Sequence, residues 1–135
     1  MGVFGTLEAD YEFEIVEDFL EQYFGTTETM ERLISGLKDD ASFSENIEEL
    51  FRIAHNLKSS TGYLKITPIN KLVTLLEDVL EECRLVDGVA SDELVAWLVE
   101  VSDQLALYRD DLEYDAAHFS PTRASIIRLP KRLTQ

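Results

Sequence analysis

Leu50-Phe51-Arg52-Ile53-Ala54-His55-Asn56-Leu57-Lys58-Ser59-Ser60-Thr61-Gly62-Tyr63-Leu64 carries its apolar residues at helical intervals. With Ile47 ahead of it, the set Ile47, Leu50, Phe51, Ala54, Leu57, Thr61 and Leu64 gathers on one side of an α-helix turning about 100° per residue. His55 lies roughly 120° from the centre of that stripe and is expected to face solvent. Arg52 and Ser59 share its direction, and Gly62 lies between them and the core edge. Small residues one and two turns after the histidine leave open ground beside its ring.

Working outward, Thr67-Pro68 is a restart signal: a cap-type residue followed by proline in a first helical turn. A third helix follows, with Ile69, Leu72, Val73, Leu75, Leu76, Val79 and Leu80, and Asp87-Gly88 is expected to end it. Ser91 should cap a fourth helix, with Asp92 and Glu93 at the positive end of its dipole. That helix carries Leu94, Trp97, Leu98, Val101, Leu105, Tyr108 and Leu112, so Trp97 and Tyr108 read as core. Before the quoted stretch, apolar spacing from Phe13 to Leu37 predicts one long first helix starting near Asp10, with a possible kink at Gly25. Lys38 to Phe43 reads as a polar connector, with Ser44 or Asn46 capping the second helix. Short connections join antiparallel neighbours, and no segment alternates as a strand would. The expected fold is all-α, an antiparallel up-down four-helix bundle over residues 1–116. Residues 117–135 form a basic C-terminal tail, read as a flexible end or the start of a linker. Within it Ala124 to Leu129 can make one short docked turn.

Charge is uneven. The 135 residues hold 27 acids against 12 Lys and Arg, a net charge of −15. At that density about five acids are expected in the 27 positions from Leu50 to Leu76, yet there are none, and Arg52, Lys58, Lys65 and Lys71 stand there instead. A basic window in an acidic chain is suited to meeting negative charge. The acidic body argues against nucleic-acid binding, which rests on phosphate neutralisation. No apolar run approaches the roughly 20 residues that span a bilayer. The N-terminus lacks the basic and apolar regions of a signal peptide. The single Cys83 has no disulfide partner and reads as a buried filler, its thiol pushed up by nearby acids. These features favour a cytoplasmic protein.

An exposed imidazole is largely neutral at cytoplasmic pH, and one ring nitrogen is nucleophilic when the other carries the proton. A carboxylate or carbonyl usually fixes that tautomer. Lys58, one turn along, can neutralise phosphoryl oxygens. The pattern suits a phosphoryl carrier. There is no Gly-rich phosphate loop for ATP and no metal-ligand spacing around His55. His118 receives no role.

The run from Leu50 to Ser60 resembles the signature of histidine-containing phosphotransfer domains, in the version found at the N-terminus of chemotaxis histidine kinases. The resemblance extends from Phe13 to Glu113. It implies a four-helix bundle displaying one phosphorylated histidine, matched by His55, with Lys58 stabilising the phosphoryl group. Gly62 matches a small residue seven after the histidine. Glu77, in Leu75-Leu76-Glu77-Asp78, matches a carboxylate that accepts a hydrogen bond from the imidazole. Ser59 and Lys65 stand where the family usually has glycine. With Arg52 and Gly62 they are the expected partner-facing residues.

The implied function is a carrier in a bacterial two-component phosphorelay, without an ATP site of its own. It would accept a phosphoryl group from a sensor or hybrid histidine kinase, or from a receiver, and pass it to a response-regulator aspartate. No resident cofactor is implied, and Mg²⁺ would come from the partner receiver. Two alternatives remain: an unphosphorylated helical module that inhibits a kinase or receiver, and the first domain of a chemotaxis-type kinase.

Overall fold

The computed structural model describes all 135 residues. Its helices are α1 (Val3–Asp10), α2 (Phe13–Ser35), α3 (Asp40–Tyr63), α4 (Thr67–Cys83), α5 (Asp92–Glu113) and α6 (Ala124–Ile127), with a 3₁₀ turn over Gly36–Lys38 between α2 and α3. The chain is all-α. Helices α2 to α5 pack in a ring, each against the next and α5 back against α2. The core they enclose includes Val16, Met30, Leu50, Leu57, Leu76, Leu80, Leu98 and Leu105. Every fourth-helix residue expected in the core is buried, Trp97 and Tyr108 included.

Several boundaries differ from expectation. The first long helix runs unbroken through Gly25, as expected, but starts at Phe13 rather than near Asp10. Tertiary anchors on both sides outweigh its helix cost of about 1 kcal/mol. Tyr23 donates to the Leu105 carbonyl at 2.6 Å, and Arg109 donates to Thr27 Oγ1 at 3.1 Å. Phe13, expected on the apolar stripe, is 67 % exposed. A separate helix, α1, precedes it. Its opening N–H groups are met from the far end of the bundle: Val3 donates to the Ala116 carbonyl at 2.8 Å. Phe4 and Gly5 donate to Asp115 Oδ1 at 3.1 and 3.0 Å. A Cβ on Gly2 would lie 2.2 Å from the Asp115 carbonyl oxygen, so this approach requires glycine.

Helix α3 begins between one and two turns before the expected cap at Ser44 or Asn46. Asp39, in extended conformation, accepts from the Ala41 N–H at 3.0 Å, and Phe43 is already buried. Asn46 does not cap α3 but donates to the Leu33 carbonyl at 3.0 Å, closing the end of α2. Gly36 is pressed against it, since a Cβ there would meet Asn46 Nδ2 at 2.1 Å. Ser91 caps α5 as expected, accepting from the Leu94 N–H at 3.0 Å. Helix α4 stops at Cys83, short of Asp87-Gly88.

The tail is not a free end. It runs back along α5 as a strap, with Ile126 buried in the short α6 and Phe119 and Leu133 packed on the core. Trp97 donates its indole N–H to the Ile126 carbonyl at 2.8 Å. Buried Gln104 donates to the Pro121 carbonyl and accepts from the Arg123 N–H, each at 3.1 Å. Thr134 pairs with Ala90 in a single β-bridge. Composition pointed to a loose basic end. The polar groups on the outer face of α5 hold its backbone down instead.

Candidate functional site

Helices α3 and α4 are joined by a tight turn that sets their register. Leu64 closes α3 and Lys65 follows at φ +56°, in the left-handed region. Ile66 donates to the Thr61 carbonyl at 2.9 Å and Lys65 to the Gly62 carbonyl at 3.3 Å, a Schellman motif. Farther into the pair, Asn70 Nδ2 donates to the Lys58 carbonyl at 2.9 Å and to Thr61 Oγ1 at 3.3 Å. This register brings Glu77 of α4 opposite His55 of α3.

His55 faces out, its side chain 65 % exposed, whereas that of Glu77 is 12 % exposed. Nδ1 of His55 lies 3.2 Å from Glu77 Oε2. The other carboxylate oxygen, Oε1, accepts from Lys58 Nζ at 3.5 Å. A carboxylate can only accept, so Nδ1 is the donor of this pair, and in the neutral ring Nε2 is the nitrogen that holds the lone pair. Nε2 has no protein partner and stands at the open surface. Both oxygens of Glu77 are thus occupied, as a largely buried carboxylate requires.

The other expected residues are placed unevenly. Arg52 is exposed one turn before His55 and is ion-paired with Glu49. Ser59 is exposed one turn after it, on the wall of an open groove of about 560 Å³ between α2 and α3 that Ile15, Phe19 and Tyr63 also line. Gly62 is exposed, and a Cβ there would make only an ordinary 3.5 Å contact with Asn70, so steric need does not require glycine. Lys65 lies beyond the helix end, roughly 15 Å of helical rise from His55, beside Leu7, Asp10 and Tyr11 of the α1 segment. It is not brought to the histidine.

Two neighbours escaped the sequence reading. The Phe51 ring lies nearly parallel to the imidazole, with centroids 6.2 Å apart and planes at 15°. The guanidinium of Arg84 sits 4.3 Å from the Phe51 centroid. The i, i+4 spacing of Phe51 and His55 was a signal for the first. Nothing local pointed to Arg84, which reaches the site from the end of α4.

An exposed imidazole with one nitrogen tied to a carboxylate and a lysine beside it is arranged for nucleophilic attack by the other nitrogen. Residues 14–113 match the family model described as Hpt domain. The chain belongs to the Hpt domain family. Members are phosphotransfer modules of two-component signalling, and this Hpt domain is one by that membership. It is 31% identical over 107 residues to the chemotaxis protein CheA of Borreliella burgdorferi, covering 75% of this chain and 12% of that protein. It is 26% identical over 112 residues to the CheA of Salmonella typhimurium, covering 77% and 17%. Against the sensor histidine kinase CheAY of Helicobacter pylori it is 31% identical over 71 residues, covering 53% and 9%. The chain therefore spans less than a fifth of the length of these relatives. No solved structure matches it. No helix of this Hpt domain is long and apolar enough to cross a membrane.

Proposed function

We propose that His55 is the phosphoacceptor of this Hpt domain and that Nε2 is the attacking atom. The observation that carries this is the bond from His55 Nδ1 to Glu77 at 3.2 Å, which leaves the exposed Nε2 with the lone pair. Attack makes the ring cationic, and Glu77 stabilises the proton that stays on Nδ1. Lys58, held 3.5 Å from Glu77, is within reach of the incoming phosphoryl oxygens. Arg52, Ser59 and Gly62, exposed on the same face, meet the partner. The donor is a sensor or hybrid histidine kinase and the acceptor a receiver aspartate, with Mg²⁺ brought by the receiver. The chain has no ATP site of its own and works in the cytoplasm.

The lengths and names of the relatives support a second reading, in which this domain is one segment of a longer kinase and is phosphorylated by an ATP-binding part of that protein. Both readings share the same chemistry at His55.

Replacing His55 by Gln tests that chemistry. The variant should take up no acid-labile, base-stable phosphate from a phosphorylated kinase, while its melting temperature stays within about 3 °C of the parent. Undiminished labelling of the folded variant would refute the assignment.

A further inference from the structure

Glu77 accounts for one nitrogen of His55 but not for the plane of its ring. One hydrogen bond to Nδ1 pins a single point, and the imidazole can still swing about it. The Phe51 ring, one helical turn earlier, lies within 15° of parallel at a centroid distance of 6.2 Å, inside the range of offset aromatic stacking. Phe51 is itself held from the other helix. Arg84 lays its guanidinium 4.3 Å from the Phe51 centroid, and its Nε donates to Glu48 Oε1 at 2.9 Å. Glu48, Arg84, Phe51 and His55 thus form a continuous series of contacts from the start of the loop after α4 to the imidazole.

We propose that Phe51 is a positioning residue for phosphoryl transfer at His55. It holds the imidazole plane so that the Nε2 lone pair keeps one direction, and Arg84 keeps Phe51 in place. This rests on His55 being the acceptor. Stacking and the Glu77 bond divide the work: the carboxylate selects the tautomer, and the phenyl ring selects the orientation. Transfer rates respond steeply to such orientation, since an ångström of misplacement can cost on the order of 100-fold.

Phosphoramidate is a suitable probe, because so small a donor needs no protein docking surface. Its P–N bond breaks, a P–Nε2 bond forms, ammonia leaves, and Nδ1 keeps its proton against Glu77. Phe51→Leu should lower the rate at saturating donor about tenfold with little change in KM, and Phe51→Tyr should stay within about twofold of the parent. Arg84→Met, at an exposed position outside the core, should lower the rate about threefold. The ¹⁵N shifts of His55 should remain those of the Nδ1–H tautomer in all three variants, which separates a fault of orientation from one of protonation. Parental rates in folded Phe51→Leu and Arg84→Met proteins would overturn the proposal while leaving His55 as acceptor. A parent protein that gains no phosphohistidine would overturn the acceptor reading, and this one with it.

Discussion

Cys83 and Lys65 show how far a single residue's environment departs from its type. Cys83 is 1 % exposed, and burial first, then Glu82, pushes its thiol up to about 12 from 9.0. The native thiol should resist Ellman's reagent at pH 8 and react readily once unfolded in urea. Because the folded state keeps its proton longer, stability should fall as pH rises from 9.0 toward about 12, by up to about 1.4 kcal/mol per unit. Cys83→Ala should flatten that slope in denaturant titrations, and an unchanged slope would contradict the assignment. Lys65 occupies a left-handed position at φ +56° where its Cβ is unfavourable. Lys65→Gly should stabilise the fold by about 1 kcal/mol in urea unfolding at constant m. His55 was readable because helical spacing sets direction, whereas Glu77 came from the family resemblance, with which its place as the first acid after the gap agrees. Phe51 was readable as core but not as the imidazole's neighbour, since that depends on how each side chain leans along the helix. Lys65, named as partner-facing from its place in the family pattern, lies past the end of α3, roughly 15 Å of helical rise from His55.

At the scale of elements, the long amphipathic helices were legible, as was the short docked turn that became α6, whereas α1 was not. Helix α1 has only eight residues and a weak apolar pattern, and it exists because Asp115 and Ala116 satisfy its first N–H groups. The strap was illegible for a related reason. It is held by α5 side chains to its backbone, and backbone polar groups leave no mark in composition. That dependence can be tested at Trp97. Trp97→Phe keeps the apolar bulk but removes the donor to the Ile126 carbonyl, at a cost of about 1–2 kcal/mol. Hydrogen exchange of the strap-linked amides of Ser91, Arg123 and Gln135 should quicken about tenfold, while amides of α3 and α4 hold their protection. Equal acceleration in α3 and α4 would mean that the strap opens only with the whole bundle.

For the whole molecule, like-charge repulsion is the main force left unbalanced. A net charge of −15 on 135 residues repels itself at low ionic strength. Raising NaCl from roughly 10 mM to roughly 0.5 M shortens the screening length from about 30 Å to a few ångströms, so the melting temperature should rise by several degrees. A fall would show that specific ion pairs, such as Arg84–Glu48 and Arg123–Asp103, outweigh the general repulsion. Composition revealed this imbalance correctly but pointed the wrong way for the tail, which docks on the acidic α5. Arg123 pairs with Asp103, and Glu93 accepts from the N–H groups of Lys131 and Arg132. Val3, Phe4 and Gly5 are stitched to residues 115 and 116 by three hydrogen bonds. The bundle is thereby a ring without a covalent clasp. Neither its opening helix nor the last turn of α5 can fray without breaking these same bonds.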